Sequence, residues 1–266
     1  MTGSAEQAPN PLAGQTLWEV CLGPSPVTPA TYYEGFNQTL CEILRSPPRR
    51  ALELGCAAGR LGAFIKQKHP GTHFTGIEMN ENAAAIARTR VDRVIVSRLE
   101  DIEFDREGIP AGSIDTFIAG DVLEHMYDPW RALARVRPLL SPDAQVAISV
   151  PNVRNLHVMD VLNNEGTFKY ATHGLLDITH IRFFTFRDCM RLLDETGFEM
   201  QEVKCNIDPR YAELFRSNLG KPTVSLQLGR LRLDNLNPAE FQEYCTLQYV
   251  LLGTLKGALP DSPPGA

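Results

Sequence analysis

The stretch Ala51-Leu-Glu-Leu-Gly-Cys-Ala-Ala-Gly-Arg60 decides the fold of this chain. It reads as a short apolar strand that ends in an acid, breaks into a turn of small residues and continues directly into a helical pattern. Small residues let a ligand approach the backbone, and the free N–H groups at the start of the helix face that ligand. The stretch therefore predicts a nucleotide-binding corner.

A second short strand, Phe74-Thr-Gly-Ile77, ends at Glu78, with Met79 beside it. A carboxylate at the end of the second strand of such a unit can accept hydrogen bonds from both hydroxyls of a ribose. The corner and this acid together predict a cofactor that contains adenosine.

The spacing of the glycines narrows the choice of cofactor. A dinucleotide fingerprint is Gly-x-Gly-x-x-Gly, whose middle glycine clears space for a pyrophosphate. Here Gly55 is followed by Ala57 and Gly59, so the dinucleotide spacing is broken. Glu53, just before the turn, would repel a pyrophosphate and suits a cationic ligand that bears an ammonium group. S-adenosylmethionine has an ammonium and a sulfonium and no phosphate.

The motif Glu53-x-Gly55-x-Ala57-x-Gly59 resembles the first motif of the class I S-adenosylmethionine (SAM)-dependent methyltransferases. The resemblance implies that Glu53 holds the cofactor's ammonium and that the small residues let its methionine part lie against the backbone. Glu78 would then bind the ribose hydroxyls. Ala57 departs from the family motif, because it places one extra methyl near the cofactor.

Strand and helix patterns alternate after the first motif, which is typical of a sheet covered on both faces. We expect an α/β fold: a Rossmann-like, doubly wound, seven-stranded sheet, mostly parallel, with a reversed last strand and a cap. The expected strands are 51–54, 74–77, 93–97, 114–119, 144–150, 199–205 and 246–255. The expected helices are 35–44, 60–68, 81–90, 130–140 and 187–196.

The expected domain organisation is one methyltransferase domain at 31–256, containing a cap at 152–186 and an insertion at 206–240. Residues 1–30 form an N-terminal extension and 257–266 a disordered tail in this interpretation. The insertion would suit a lid, a dimer contact or a loose loop, and a homodimer is one of the assemblies considered.

Composition excludes several partners. The net charge of -6 argues against a broad nucleic-acid-binding surface. No apolar run reaches membrane-spanning length and no secretory signal opens the chain, so no membrane partner is expected. The six cysteines are scattered without a Cys-x-x-Cys pair, which indicates reduced thiols in a cytoplasmic protein.

Gly120-Asp-Val-Leu-Glu-His-Met-Tyr-Asp-Pro-Trp130 resembles the fourth-strand motif of the small-molecule methyltransferases. Pro151-Asn-Val-Arg-Asn155, Tyr170 and Gly174-Leu-Leu-Asp-Ile-Thr-His-Ile-Arg-Phe-Phe-Thr185 are similar to a bacterial subgroup often found with glycosyltransferase and surface-polysaccharide genes. The similarity implies methyl transfer to a small-molecule acceptor, with a glycan or nucleotide-sugar hydroxyl as the lead and polysaccharide biosynthesis as the setting.

The remaining cofactor contacts follow the third and fourth strands. Leu99 is expected to pack on the adenine ring and Glu100, or its neighbour Asp101, to accept from the exocyclic amine. Asp121 and Val122 follow the fourth strand, at the edge where doubly wound sheets bind ligands.

Two histidines are candidate general bases, since an unperturbed pKa near 6.5 suits proton removal at neutral pH. His180 has the better case, because Asp177 could orient it in the cap and raise its basicity. His125 would act as base or would simply support its loop. No metal site is expected, because no ligand spacing occurs.

The favoured reaction is methyl transfer to a hydroxyl oxygen. Alternatives are N-methylation of a secondary metabolite or amino sugar, and a non-catalytic partner subunit of the same fold. A nucleic-acid or protein methyltransferase is disfavoured by the acidic balance and the lack of an Asn-Pro-Pro-Tyr motif. A nicotinamide-dependent oxidoreductase is disfavoured by the broken glycine spacing.

Overall fold

A seven-stranded mixed sheet forms the centre of the protein, for which a computed structural model describes residues 16–23 and 33–257. The strands follow the order β3-β2-β1-β4-β5-β9-β6. Their bounds are β1 Arg50–Leu54, β2 His73–Glu78, β3 Arg93–Val96, β4 Ile114–Gly120, β5 Leu140–Pro151, β6 Phe198–Ile207 and β9 Thr246–Leu255. A separate antiparallel hairpin is made of β7 Val224–Leu228 and β8 Leu231–Leu236.

Strands β1 to β5 pair in parallel, and β9 runs antiparallel to both β5 and β6. The chain order reverses beside β1, where β2 lies on one side and β4 on the other. Doubly wound sheets bind ligands at such a point, outside the carboxyl ends of the strands. The predicted fold, including the reversed last strand, is confirmed.

Helices cover both faces of the sheet. Their bounds are α1 Leu17–Cys21, α2 Thr39–Glu42, α3 Arg60–Lys68, α4 Glu81–Ala87, α5 Pro129–Val136, α6 Leu156–Glu165, α7 Phe186–Glu195, α8 Ala212–Ser217 and α9 Pro238–Cys245. Side-chain caps start many of them: Asn80 accepts from the N–H of Ala83 at α4, and Asp128 accepts from that of Arg131 at α5. Such caps satisfy N–H groups that the helix itself leaves unpaired.

Alternate residues of the central strands supply two different cores. Leu52 and Leu54 of β1 pack in one buried cluster, whereas Ala51 packs in another with Phe74 and Ile65. Successive side chains of a strand point to opposite faces, so these clusters lie on the two sides of the sheet. The near-continuous apolar sequence of β1 is what a strand covered on both faces requires.

The predicted elements agree in kind with the observed ones, with differences at their ends. The helix expected at 35–44 is only Thr39–Glu42, and the one expected at 130–140 ends at Val136 before a 3-10 turn at Arg137–Leu139. The cap at 152–186 contains the unpredicted helix α6. The insertion at 206–240 contains α8, the hairpin and the start of α9.

The insertion forms a small core of its own with α6. Leu156 of α6 packs with Val224 and Leu236 of the hairpin and with Phe241 of α9. The Asn164 side chain ties the hairpin turn to α6, because its amide donates to the Leu228 carbonyl and its oxygen accepts from the Arg230 N–H. The segment is therefore folded rather than a loose loop.

Residues 1–15 and 24–30 of the predicted N-terminal extension and residues 258–266 of the predicted tail lie outside the described residues. Part of the predicted extension does form structure, since α1 starts with a reciprocal capping pair of Thr16 and Glu19. All six cysteines fall within the described ranges and are free. Within those ranges no helix combines the length and apolarity needed to cross a bilayer.

Candidate functional site

A cavity of about 1340 Å³ opens at the carboxyl ends of the parallel strands. Its walls come from the turn after β1, the end of β2, the loop after β4 and the cap. Of the predicted cofactor-binding residues, all but Gly59 line it: Glu53, Gly55, Ala57, Glu78, Met79, Leu99, Glu100, Asp121 and Val122. The structure thus brings the predicted set together in one place.

The turn after β1 has an unusual backbone. Gly55, Ala57 and Gly59 all lie in the left-handed region, with φ of 70°, 47° and 74°. Glycine adopts such angles without cost, whereas Ala57 is strained there. Gly59 caps α3 and does not contact the cavity; a Cβ on it would come within 3.0 Å of the Ala87 Cα. Its role is therefore close packing between α3 and α4.

Glu53 is a buried carboxylate without a full set of partners. Its side chain is 5% exposed, and its Oε2 atom has no hydrogen-bond partner. Burial, with a smaller contribution from the nearby charge of Glu78, raises the pKa of Glu53 to about 8. Because buried charges are normally paired, this acid is suited to receive a cationic group from a ligand in the cavity.

Glu78 holds the turn and still has acceptor capacity. Its Oε2 accepts from the N–H of Ala57 at 2.9 Å, and its Oε1 accepts from the N–H of Asn80 at 2.8 Å. An ionised carboxylate offers about four acceptor positions, so two remain for a pair of hydroxyls. The same side chain can therefore shape the turn and bind a ribose.

The predicted adenine wall follows β3. Leu99 is buried in a 3-10 turn, Leu99–Asp101, and its carbonyl accepts from the Arg135 guanidinium at 3.0 Å. Glu100 is exposed and forms an ion pair with Arg98 at 3.7 Å. Met79 is 72% exposed, which leaves its flexible side chain at the cavity edge.

A polar network lies where the fourth, fifth and last strands meet. Asp121 Oδ1 accepts from the Ser149 hydroxyl at 3.0 Å and also from the Gln248 amide. The oxygen of Gln248 in turn accepts from Asn37 and Asn206. Asp121 is exposed to the cavity, but the protein around it shields the carboxylate from bulk water, which raises its pKa. The hydrogen bonds from Ser149 and Gln248 oppose that shift. The network fixes this carboxylate at the cavity wall.

His125 lines the cavity and is held by Thr179. Its Nδ1 lies 3.3 Å from the Thr179 carbonyl and 3.0 Å from the Thr179 hydroxyl, which itself donates to Asp177 Oδ1 at 2.6 Å. A carbonyl can only accept, so these partners assign the proton to Nδ1 and leave Nε2 as an acceptor. Burial lowers the pKa of His125, while the charge of Asp177 opposes that shift.

His180 lies behind His125 rather than in the cavity wall, so its predicted place beside the acceptor is not where the structure puts it. It is 9% exposed, its ring packs edge-on against His125 with centroids 4.7 Å apart, and its Nδ1 faces the Leu175 carbonyl. Burial, with the nearby His125, lowers the pKa of His180 to about 4. The sequence could not distinguish the two histidines, because their exposure depends on how the cap folds.

Glu124 completes this buried group and joins it to the cap. Its carboxylate is 1% exposed, with Oε1 3.9 Å from His180 Nε2, and burial raises its pKa well above the usual value. Its carbonyl accepts from the N–H groups of Ile181 and Arg182. One ligand atom each of Glu124, His125 and His180 lie within 4.8 Å of one another, a spacing that could hold a metal ion.

Sequence reasoning missed several polar residues of the site, among them Asn37, Ser149 and Gln248. A signal was present for two of them, since Ser149 interrupts the apolar run 146–150 and Gln248 directly precedes the apolar run 249–252. No signal marked Asn37, because its role depends on a contact with a strand far away in sequence.

The chain belongs to a methyltransferase family. The profile of a family described as "Methyltransferase domain" matches residues 32–203, more than half of the chain. This range contains the turn after β1, Glu78, Asp121 and His125. The class that the fold and the site define is therefore the SAM-dependent methyltransferases of class I.

Curated relatives are similar to the chain over part of its length. The ubiquinone biosynthesis O-methyltransferase of Aromatoleum aromaticum is 29% identical over 161 residues, which are 58% of this chain and 66% of the relative. An uncharacterised 37.1 kDa protein of a Streptomyces fradiae transposon is 30% identical over 158 residues, or 59% and 45% of the two chains. The chain thus spans less than two thirds of these relatives.

Solved structures share the fold at low sequence identity. A SAM-dependent methyltransferase of Thermotoga maritima, described as a possible histamine N-methyltransferase, superimposes with a TM-score of 0.55 at 19% identity, over 82% of this chain and 87% of its own. The [4+2]-cyclase SpnF gives 0.54 at 15% identity, over 86% and 82%. These similarities support the fold alone.

S-adenosylmethionine is the cofactor, and the residues present fit it. The unpartnered, buried Oε2 of Glu53 suits its ammonium, and Glu78 suits its ribose hydroxyls. The left-handed turn at Gly55 brings bare backbone to the cavity; a Cβ there would lie 2.8 Å from Val122 Cγ2. No pyrophosphate would be accepted beside Glu53.

Proposed function

We propose that the protein transfers the methyl group of S-adenosylmethionine to a hydroxyl of a small-molecule acceptor, with His125 as general base. The observation that carries this proposal is the position of His125 in the cavity wall, with Nδ1 engaged by Thr179. Its Nε2 is then the acceptor for a proton. The naming of several relatives as O-methyltransferases supports oxygen as the receiving atom.

The residues of this chain have distinct tasks in the proposed reaction. When bound, S-adenosylmethionine supplies an electrophilic methyl group on its sulfonium. Glu53 and Glu78 would anchor the ammonium and the ribose of the cofactor, and positioning of this kind can account for about 7–11 kcal/mol of barrier in favourable cases. His125 would take the hydroxyl proton, a contribution typically of about 10²–10⁴-fold.

Thr179 and Asp177 orient the proposed base. Thr179 fixes the His125 ring through Nδ1, and Asp177 accepts the Thr179 hydroxyl, so the proton on Nδ1 cannot move to Nε2 without breaking these bonds. Asp177 also stabilises the imidazolium that forms, because its charge favours the protonated ring. His180 is left as the ring on which His125 packs.

Several classes of acceptor molecule could present a hydroxyl oxygen to the methyl group. A sugar or glycan hydroxyl in polysaccharide biosynthesis rests on the resemblance of the sequence alone. The ubiquinone-related names of the relatives favour a phenolic hydroxyl as an equal candidate. N-methylation remains the second candidate, since an amine acceptor needs only to be neutral when it attacks. Absence of nucleic-acid and membrane partners, cytoplasmic location and a homodimer stay predictions.

The test is turnover with an acceptor panel of catechols, sugars and amino sugars, read as formation of S-adenosylhomocysteine and of methylated product. With the best acceptor, His125→Gln should lower kcat by about 10²–10⁴-fold. The Kd for S-adenosylmethionine, measured by calorimetry, should stay unchanged.

His180→Gln is the matched control, because it changes the neighbouring ring without removing the proposed base. It should keep a rate well above that of His125→Gln. A His125→Gln rate within a fewfold of wild type, with binding intact, would show that His125 is not the base. Failure of every acceptor, with S-adenosylmethionine still bound, would favour a non-catalytic partner subunit.

A further inference from the structure

The cavity is lined by more acidic than basic side chains. Carboxylates of five residues line it, namely Glu53, Glu78, Glu100, Asp121 and Asp177. Its lining arginines are Arg60 and Arg98, and each is engaged by an acid: Arg60 with Glu34 at 3.6 Å and Arg98 with Glu100 at 3.7 Å. Within the structure as described, no lysine lines the cavity.

Four of these carboxylates lack a basic partner. Glu53, Glu78, Asp121 and Asp177 form no ion pair with a lysine or arginine within the described ranges, although many such pairs occur elsewhere on the protein. Asp177 is only 3% exposed. Buried charges in proteins are usually paired, so unpaired ones lining a ligand cavity indicate a ligand of opposite charge.

The cofactor accounts for two of the four. Glu53 would receive the ammonium and Glu78 the ribose hydroxyls, as set out above. Asp177 lies instead on the side of the proposed base, because it accepts from the Thr179 hydroxyl that contacts His125. Asp121, predicted above as a cofactor contact, lines the same cavity after β4. The polar residues around them are neutral, namely Asn37, Gln248 and Thr172.

No side chain outside the described residues can supply the missing cation. The stretches 1–15, 24–32 and 258–266 contain no lysine, arginine or histidine. Arg182 lies next to the wall, but its guanidinium donates to the Tyr127 carbonyl and packs over the Tyr127 ring. Among the described residues, the acceptor side of the cavity therefore carries acidic and neutral side chains.

We propose that the acceptor carries an ammonium group, held by Asp177 with Asp121, in addition to the atom that is methylated. This inference rests on the proposed function, whose acceptor class it narrows. It excludes acceptors that bear a carboxylate or a phosphate, nucleotide-sugars among them. Amines joined to a hydroxylated ring, either aromatic or sugar, fit the site.

The experiment measures equilibrium binding to the full chain saturated with S-adenosylhomocysteine, so it does not depend on turnover. Two matched series keep the hydroxylated ring and vary only the charge. The catechol series is dopamine, 4-ethylcatechol and 3,4-dihydroxyphenylacetate, and the sugar series is glucosamine, glucose and glucose 6-phosphate. In at least one series the ammonium member should bind at least tenfold more tightly than the neutral one, and the anionic member should bind least.

The variants assign this preference to the acids. Asp177→Asn should remove most of the ammonium preference while S-adenosylmethionine still binds, and Asp121→Asn should reduce it. Asp143→Asn, the same change at an exposed site on β5 outside the cavity, should leave it intact. If Asp177→Asn fails to fold, Asp121→Asn and the ligand series still decide the question.

Several results would overturn the proposal. Equal binding of neutral and ammonium members would do so, as would an anionic member that binds as tightly as the ammonium member, with or without magnesium. Absence of ammonium binding in both series would also overturn it. None of these results bears on the proposed base, since a neutral acceptor methylated with loss of rate in His125→Gln would leave that role standing.

Discussion

Glu53 is held in an environment that favours its neutral form in the free protein. Burial raises its pKa to about 8, so ionisation is more costly in the folded protein than in the unfolded one. By linkage, such a group destabilises the fold increasingly as pH rises through the interval from the unfolded pKa to the folded pKa. A ligand ammonium would remove that cost, which couples cofactor binding to the charge of one residue.

We therefore expect Glu53→Gln to stabilise the free protein and to weaken cofactor binding. At pH 8.5 its melting temperature should exceed that of wild type, and the difference should shrink toward pH 5, where Glu53 is protonated in the folded protein. Thermal unfolding across pH and titration with S-adenosylmethionine measure the two effects. Glu199→Gln, an exposed change on β6, is the control; an equal stabilisation there would contradict this account.

A second prediction for Glu53 concerns the protons released when the cofactor binds. At pH 7 wild type should release protons when S-adenosylmethionine binds, because the ammonium favours the ionised form of Glu53. Calorimetry in buffers with different ionisation enthalpies measures the number released. Glu53→Gln should release fewer, and identical proton release in both proteins would show that Glu53 does not meet the ammonium.

The pH dependence of turnover should report His125. Because burial lowers its pKa, the neutral base persists below pH 6.5, and the acid limb of the kcat profile should lie below that value. Asp177→Asn removes the charge that opposes the shift, so the limb should move to still lower pH, with a reduced maximal rate. An acid limb that moves to higher pH in Asp177→Asn would contradict the proposal that Asp177 acts on His125 through Thr179.

At the scale of elements, the packing of α3 against the sheet requires a small residue at the point of contact. Gly62 lies in α3 so close to its neighbours that a Cβ would meet Val91 Cγ1 at 2.5 Å and Phe74 Cε1 at 2.7 Å. Gly62→Ala should destabilise the protein by about 1–3 kcal/mol through overpacking. Denaturant unfolding measures this value.

Two companion variants sharpen the test of α3. Gly62→Ala combined with Val91→Ala should recover part of the loss, since it removes one of the clashing side chains. Gly71→Ala, where a Cβ meets nothing within 4 Å, is the control. A cost at Gly71 equal to that at Gly62 would refute the packing explanation.

The strands were predictable from the sequence for a physical reason. Buried parallel strands such as β1 and β4 consist of short apolar runs, and glycines or acids mark where they end. Helix α6 and the hairpin were not predicted, although Asn155 caps α6 and Gly229 lies in the hairpin turn. Their apolar residues are spaced for contacts with each other, which a local pattern does not reveal.

The residues of the site also fall into a predictable and an unpredictable group. Residues on the strand ends, such as Glu53 and Glu78, could be predicted, because the topology of the sheet fixes where they lie. The choice between His125 and His180 could not, because it depends on the path of the cap. Gln248 was missed since its partner Asp121 is brought near only by the reversed last strand.

At the scale of the whole molecule, the protein consists of a central sheet and an attached module. In addition to its apolar contacts, the hairpin is bound to α6 by Asn164, whose two hydrogen bonds to the hairpin backbone each contribute about 0.5–1.5 kcal/mol. Asn164→Ala should therefore open the hairpin locally and leave the sheet intact. Hydrogen exchange should rise at 224–236 and stay unchanged in β1 and β4.

Asn163→Ala is the matched control for this variant, because Asn163 is exposed and bonds only within its own helix. A uniform rise of exchange across the sheet in Asn164→Ala would mean that the module and the sheet unfold as one unit. Cofactor affinity should change little, since Asn164 does not line the cavity.

The two N–H groups that Ile181 and Arg182 donate to the Glu124 carbonyl have a consequence for building chimeric enzymes. These bonds join the loop after β4 to the cap through backbone atoms alone, so the junction does not depend on side chains. A cap exchanged with that of a relative would have to be cut outside this junction, near Pro151 and Thr185, to arrive in register. Exchanged whole, it would carry its own acceptor preference to an unchanged methyl donor site; cut between Asp177 and Thr179, it would separate the two residues that orient His125.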